Sequence, residues 1–146
     1  MSKYNSPVLD PSAIPLIALG SMNETHKEEV ELINQLGRLL EDAVNGQPDE
    51  AAITEKLHEW AEHTKDHFSR ENQLMQDYGF PAFPVHSGEH DKVLAQIEAL
   101  YQRWLETKVV EPLADYIFGE WPRWFDAHVN SMDMVTAMFL SQRIPQ

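Results

Sequence analysis

Apolar residues recur at helical spacing in four separate segments of this chain, and that periodicity limits its fold more than any other feature. At about 100° per residue, one face of each segment carries a stripe of mostly apolar side chains. The stripes are Val30, Ile33, Gly37, Leu40 and Val44; Ile53, Leu57, Trp60, Thr64, Leu74 and Tyr78; Val93, Ile97, Leu100 and Trp104; and Trp124, His128, Met132, Val135 and Phe139. No stretch alternates as a half-buried strand would. The sequence therefore predicts an all-α fold, an antiparallel up-down four-helix bundle with short connections.

Capping and turn residues mark where the four helices begin and end. The predicted helices cover about residues 23–45, 48–78, 86–107 and 112–142. Asn23 is the expected N-cap of the first helix, because its side chain can accept a hydrogen bond from a free backbone N–H. In the fourth helix we expect a break near Gly119 or a kink at Pro122, since an interior proline removes a helical hydrogen bond.

Prolines at positions 7, 11 and 15 indicate that residues 1–20 form an extended arm. We expect residues 21–142 to form the bundle, and the whole chain of 146 residues to be a single domain.

Composition excludes several classes of function. The chain has 11 Lys and Arg against 24 Asp and Glu, a formal net charge of −13, which would repel a nucleic-acid backbone. It has no cysteine, so any metal must be held by His, Asp or Glu. The apolar run at 13–19 contains Pro15 and is far shorter than the roughly 20 residues of a membrane span. Neither a basic leader nor a small-residue cleavage site is visible, and we expect a cytoplasmic protein.

Polar side chains interrupt the predicted inward faces of all four helices. They are five histidines and one carboxylate: His26, His67, Glu71, His86, His90 and His128. Burying such groups without partners costs several kcal/mol each, so the set as a whole indicates a metal site. Residues four apart lie one above the other on a helix, so each of the second- and third-helix pairs can chelate one centre.

The number and type of these ligands favour two metal ions. Imidazole with carboxylate suits iron, manganese or zinc, and the set exceeds what one tetrahedral zinc would use. Asp133 is a further candidate, but it follows His128 by five residues. That spacing turns a side chain by about 140° from the face in an ideal helix. A π-bulge or an unwound turn between the two would bring Asp133 back.

Four separated motifs carry a resemblance to a known family. They are Gly20-Ser-Met-Asn-Glu-Thr-His26-Lys, His67-Phe-Ser-Arg-Glu71, His86-Ser-Gly-Glu-His90 and Trp124-Phe-Asp-Ala-His128-Val-Asn-Ser-Met-Asp133. The chain resembles the hemerythrins, and particularly the bacterial single-domain hemerythrins, over about residues 14–142. The resemblance implies a non-haem di-iron centre, oxo- or hydroxo-bridged, that binds dioxygen reversibly.

The resemblance also implies a role for each ligand. It assigns His86, His90 and His128 to one iron, His26 and His67 to the other, and Glu71 and Asp133 to bridging positions. The position for dioxygen would be on the iron held by two histidines.

The same resemblance implies an oxygen pocket and shows where this chain departs from the family. Phe68, Trp124, Phe125 and Val129 would supply its apolar walls. Glu29 stands where the family usually has leucine, and it would place a proton-bearing group near oxygen if it faced the pocket. We expect Glu29 to be solvated at the helix edge instead, because Glu is rarely buried unpaired. For His63, one turn before His67, we expect no role at the metal, although an extra ligand or an outer hydrogen-bond partner is an alternative.

The function that follows from the resemblance is reversible dioxygen binding, as a carrier, store or local supplier rather than a catalyst. Two alternatives use the same centre: an enzyme that reduces peroxide, nitric oxide or oxygen, and a sensor of oxygen or redox state.

Overall fold

The computed structural model describes residues 4–145, and within them it contains helices but no strand. Four long helices form the fold: α1 at Gly20–Val44, α2 at Glu50–Asp77, α3 at Phe83–Thr107, and α4 over residues 110–141. α1 and α3 both pack on α2 and on the first part of α4. The helical-bundle prediction is confirmed. No helix in the described part of the chain combines the length and apolarity needed to cross a membrane.

The predicted stripes form most of the core. Val30, Ile33, Leu57 and Trp60 are fully buried, and Val93, Ile97 and Trp104 are at most 2% exposed. The α2 stripe is wrong at its end, because Tyr78 is 36% exposed while Met75 is buried in its place. Four helices can therefore present their inward side chains to a common interior.

Helix α4 alternates between α-helical and π-helical turns and is not broken. Its α-helical pieces are Val110–Asp115, Trp121–His128 and Met134–Ser141, and the π-helical turns Tyr116–Glu120 and Val129–Asp133 join them. The disruption expected near Gly119 or Pro122 takes the form of the first π-helical turn, which ends at Glu120, two residues before Pro122.

The second π-helical turn changes which side of α4 faces inward. A π-helical turn inserts an extra residue into the regular hydrogen-bonding pattern of an α-helix. The inward face of α4 after residue 129 is therefore not the one predicted from a constant rotation of about 100° per residue. Asp133, Thr136 and Leu140 are buried, whereas Val135 is 52% exposed. The predicted fourth stripe is therefore wrong in its second half.

Two helix starts also differ from the prediction. α1 begins at Gly20, three residues before Asn23, and Leu19 is its N-cap. The Asn23 side chain instead accepts from the Ile17 N–H at 3.0 Å and donates to the Ile17 carbonyl at 2.9 Å. α3 begins at Phe83 rather than His86, with proline in its first turn, where proline is well tolerated.

The N-terminal arm is fixed along the bundle. The Asn34 side chain accepts from the Leu9 N–H at 3.0 Å and donates to the Leu9 carbonyl at 2.8 Å. Tyr4 is buried, and its hydroxyl donates to the Asp115 carboxylate. Apart from one short 3₁₀ turn at Pro11–Ala13, residues 4–19 have no regular structure, which agrees with the predicted extended arm.

Gly37 lets the arm approach α1, and we expect Gly37→Ala to destabilise the protein by about 1–3 kcal/mol, as overpacking does. An added Cβ would clash with Cγ2 of Val8 and lie 3.2 Å from Cζ of Phe118. Denaturant unfolding of the metal-free protein measures the change. Gly88→Ala is the control, since its Cβ would meet nothing within 4 Å; there the helix should gain about 0.5–1 kcal/mol. Equal effects at the two sites would contradict the packing argument.

Candidate metal centre

The seven predicted ligands meet in the interior of the bundle. They come from all four helices, and each is at most 4% exposed. One ligand atom from each of Glu71, His86, His90, His128 and Asp133 lies within 4.8 Å of the others, and the same holds for His26, His67 and Glu71. Glu71 thus belongs to both groups, which we call the three-histidine group and the two-histidine group.

Local helix geometry explains how these side chains converge. His67 and Glu71 are one turn apart on α2, with Nε2 and Oε2 separated by 2.6 Å. On α4 the π-helical turn Val129–Asp133 lies between His128 and Asp133. It turns Asp133 inward, so its Oδ1 is 3.1 Å from Nε2 of His128. Of the two distortions expected between His128 and Asp133, a π-bulge or an unwound turn, the structure has the π-bulge.

Each carboxylate presents one oxygen to each group. Oδ2 of Asp133 is 3.1 Å from Nε2 of His26, while its Oδ1 is 3.1 Å from Nε2 of His86. Oε2 of Glu71 faces His67, and its Oε1 is 3.4 Å from Nε2 of His90. Two carboxylates with this placement can span a pair of cations.

Outer hydrogen bonds orient the imidazoles of the three-histidine group. Nδ1 of His90 lies 2.9 Å from the Asn72 amide oxygen, and Nδ1 of His128 lies 2.8 Å from the Glu89 carboxylate. These partners are acceptors, so both rings donate from Nδ1 and Nε2 is free to hold a metal. Metal-binding histidines usually have such a partner. Nδ1 of His86, the third imidazole of the group, lies 2.8 Å from the Thr136 hydroxyl.

Several inward-facing polar atoms have no hydrogen bond. Oε1 of Glu71, Nε2 of His90 and Oδ1 of Asp133 are buried in this state, and an unsatisfied buried polar atom costs about 1–3 kcal/mol. A cation placed among them would satisfy all three. Imidazole and carboxylate donors in this number suit iron, so the residues present fit the metal centre that the ligand pattern predicts.

Burial and the charges within the cluster shift the pKa values of several of its side chains. Burial opposes protonation of His67, but the negative charges of Glu71 and Glu29 outweigh it and raise the pKa of His67 to about 10. Burial also acts to raise the pKa of Glu71, yet that pKa lies below its usual value because of His67. For His90, burial prevails and lowers the pKa. A metal entering the cluster must therefore displace a proton from His67.

The apolar residues predicted to line an oxygen pocket pack against the imidazole rings. Phe68 stacks on His90 with ring centroids 4.0 Å apart, and Trp124 stacks on His128 at 4.6 Å. Phe125 meets His26 edge to face at 5.5 Å between centroids. Val129 is fully buried. These contacts restrict the rotation of the rings and keep water from the side of the cluster that they cover.

Comparison with known proteins agrees with this geometry. The sequence model of one protein family, described as the hemerythrin HHE cation binding domain, matches residues 18–140. The chain belongs to the hemerythrin family. Its cluster of buried His, Glu and Asp therefore lies in a cation-binding domain of that family.

The relatives include proteins called bacteriohemerythrin. The one from Aquifex aeolicus is 28% identical over 133 residues, which cover 91% of this chain and 98% of the relative. The one from Ralstonia nicotianae is 34% identical over 96 residues, 66% of this chain and 69% of the relative. The one from Pseudomonas paraeruginosa is 30% identical over 112 residues, 77% of this chain and 68% of the relative. No solved structure matches the chain at a significant level.

Glu29 of this hemerythrin-family chain is not solvated, contrary to expectation. It is 2% exposed, and its Oε2 lies 2.7 Å from Nδ1 of His63. Its Oε1 is 3.7 Å from Nδ1 of His67, the ring nitrogen that does not face Glu71. His63, for which we expected no role at the metal, is the hydrogen-bonding partner of this buried carboxylate.

Sequence reasoning missed the outer partners of the imidazoles. Asn72, Glu89 and Thr136 each bond one histidine of the three-histidine group. Asn72 directly follows Glu71, and Glu89 directly precedes His90. A polar residue beside a predicted ligand was the available signal, but an exposed position gives the same pattern.

Proposed function

We propose that this protein binds dioxygen reversibly at a non-haem di-iron centre and acts as an oxygen carrier, store or local supplier. The observation that carries the proposal is the placement of Glu71 and Asp133, each with one oxygen toward each histidine group. Two carboxylates that face two sets of imidazoles suit a pair of iron ions better than one ion.

The ligand count distinguishes the two ends of the centre. His86, His90 and His128 would hold one iron, and His26 and His67 the other, with both carboxylates shared. The iron held by two histidines has one imidazole fewer, so it is the end with room for an external ligand. Bound iron would supply the electrons that reversible dioxygen binding requires.

The protein around the centre has two tasks in this proposal. Asn72, Glu89 and Thr136 hold imidazoles in the orientation that binds metal. Phe68, Trp124, Phe125 and Val129 cover the rings with apolar surface, and so keep out the water that would favour loss of bound oxygen in a reduced form.

Gas exchange tests the proposal. Protein loaded with ferrous iron under argon should develop visible absorption in air, lose it when purged again with argon, and repeat the cycle. Absorption that never appears would contradict oxygen binding. An irreversible change accompanied by steady consumption of oxygen or peroxide would favour the alternative, an enzyme built on the same centre.

A further inference from the structure

The proposed histidine ligands differ in the surroundings of Nδ1, the ring nitrogen that faces away from the cluster. The rings of His86, His90 and His128 each have a hydrogen-bond partner at Nδ1. Nδ1 of His26 is buried and has none, and the same is true of Nδ1 of His67. The carboxylate oxygen Oε1 of Glu29 lies 3.7 Å from it, which is about 0.5–1 Å longer than an N–H···O hydrogen bond.

The Glu29 carboxylate is itself held from two sides. The Thr64 hydroxyl lies 2.7 Å from Oε1, and Nδ1 of His63 lies 2.7 Å from Oε2. Nε2 of His63 in turn reaches the exposed carboxylate of Glu28 at 3.3 Å. The contacts with Thr64 and His63 fix the orientation of the buried Glu29 side chain.

In this orientation the two carboxylate oxygens of Glu29 face different neighbours. Oε2 is turned toward His63, whereas Oε1 is turned toward Thr64 and the outer nitrogen of His67. The Thr64 hydroxyl thereby holds the second oxygen beside a buried ring nitrogen that has no hydrogen-bond partner. A donor without an acceptor and an acceptor within reach of it form an incomplete pair.

We propose that Glu29 is a positioning residue for His67: it accepts the Nδ1–H of His67 when Nε2 binds metal, and Thr64 and His63 hold it for this task. The inference rests on the proposed function, because it takes His67 as a metal ligand. A carboxylate behind a ligating imidazole fixes the ring and strengthens it as a donor. A stronger donor favours the more highly charged state of the metal, so Glu29 should lower the reduction potential of the iron at the two-histidine end.

Cobalt(II) binding and redox potential test this proposal in the full-length protein. For Glu29→Gln we expect the cobalt affinity of the two-histidine end to fall by about 10–100-fold, which is the usual effect of removing the hydrogen-bonding partner of a metal ligand. The cobalt ligand-field absorption should shift, and the midpoint potential of the iron-loaded protein should become more positive. Thr64→Val keeps the shape of Thr64 and should shift both properties less, in the same direction. Glu31→Gln, at an exposed carboxylate on the same helix, is the matched control and should change neither.

The outcomes separate the positioning role from a structural one. Reduced thermal stability in Glu29→Gln with an unchanged cobalt spectrum and potential would overturn the proposal, because packing alone would explain that result. If Glu29→Gln does not fold, unchanged spectrum and potential in Thr64→Val would overturn it. Wild-type protein that binds neither cobalt nor iron would refute the proposed function, and this inference with it. Normal metal binding in Glu29→Gln would refute only this inference.

Discussion

Replacing His90 with alanine should remove the metal from the three-histidine end of the centre and lower bound iron from about two ions per chain to one or fewer. His90 is fully buried, its Nε2 has no hydrogen bond, and its Nδ1 is held by Asn72. The ring is thus fixed with its free nitrogen toward the cluster, and alanine offers no ligand in its place. Iron analysis of purified protein, after removal of loosely bound metal, measures the loss.

Two further variants identify the cause of that loss. His58→Ala changes an exposed histidine of α2 and should leave the iron content unchanged. His90→Gln fills much of the space of the ring, so iron loss in both His90 variants would point to the missing imidazole rather than to a cavity. Iron content at the wild-type level in His90→Ala would exclude His90 as a ligand.

The stability of the metal-free protein and the iron affinity should depend on pH in opposite directions above about pH 6.5. In the metal-free protein the pKa of His67 is raised from 6.5 to about 10. A raised pKa contributes stability that is complete below 6.5 and is lost as the pH rises toward 10. The pKa of His128 is also raised, which adds to the effect. The slope is at most about 1.4 kcal/mol per pH unit for each proton.

Iron binding reverses this dependence, because metal and proton compete for the same imidazole nitrogen. Raising the pH removes the proton that iron must displace, so the extra stability conferred by iron should grow over the same range. Urea unfolding of metal-free and ferrous protein under argon, at several pH values between about 6.5 and 9, gives both slopes. Parallel curves for the two forms would contradict the assignment of His67 as a ligand.

Helical periodicity predicted the helices and most of the ligands because both depend on local spacing. The stripes of α1 and α3 required only a constant turn per residue, and His67 with Glu71 required only that residues four apart share a face. Asp133 could not come from that rule. It was predicted from the family resemblance, with a π-bulge or an unwound turn as the physical condition, and the π-helical turn Val129–Asp133 meets that condition.

The wrong predictions concern residues whose positions depend on an irregular helical turn or on a partner distant in the sequence. Val135 was placed inward by a constant step, and the same π-helical turn moved it outward. Asn23 is a residue type that often caps helices. Its side chain, however, bonds the backbone N–H and carbonyl of Ile17 in the arm and not the end of α1. Glu29 was expected in solvent because Glu is rarely buried unpaired. Its partner, His63, lies 34 residues away on another helix, and no local pattern indicates that pairing.

Titration of the metal-free protein with ferrous iron under argon tests most directly whether these residues form one two-ion centre. We predict that binding saturates at about two ions per chain. Replacing Glu71, the residue common to both groups, should weaken both binding events rather than one. Saturation at a single ion per chain, or a Glu71→Ala variant that still binds two ions with wild-type affinity, would contradict the account.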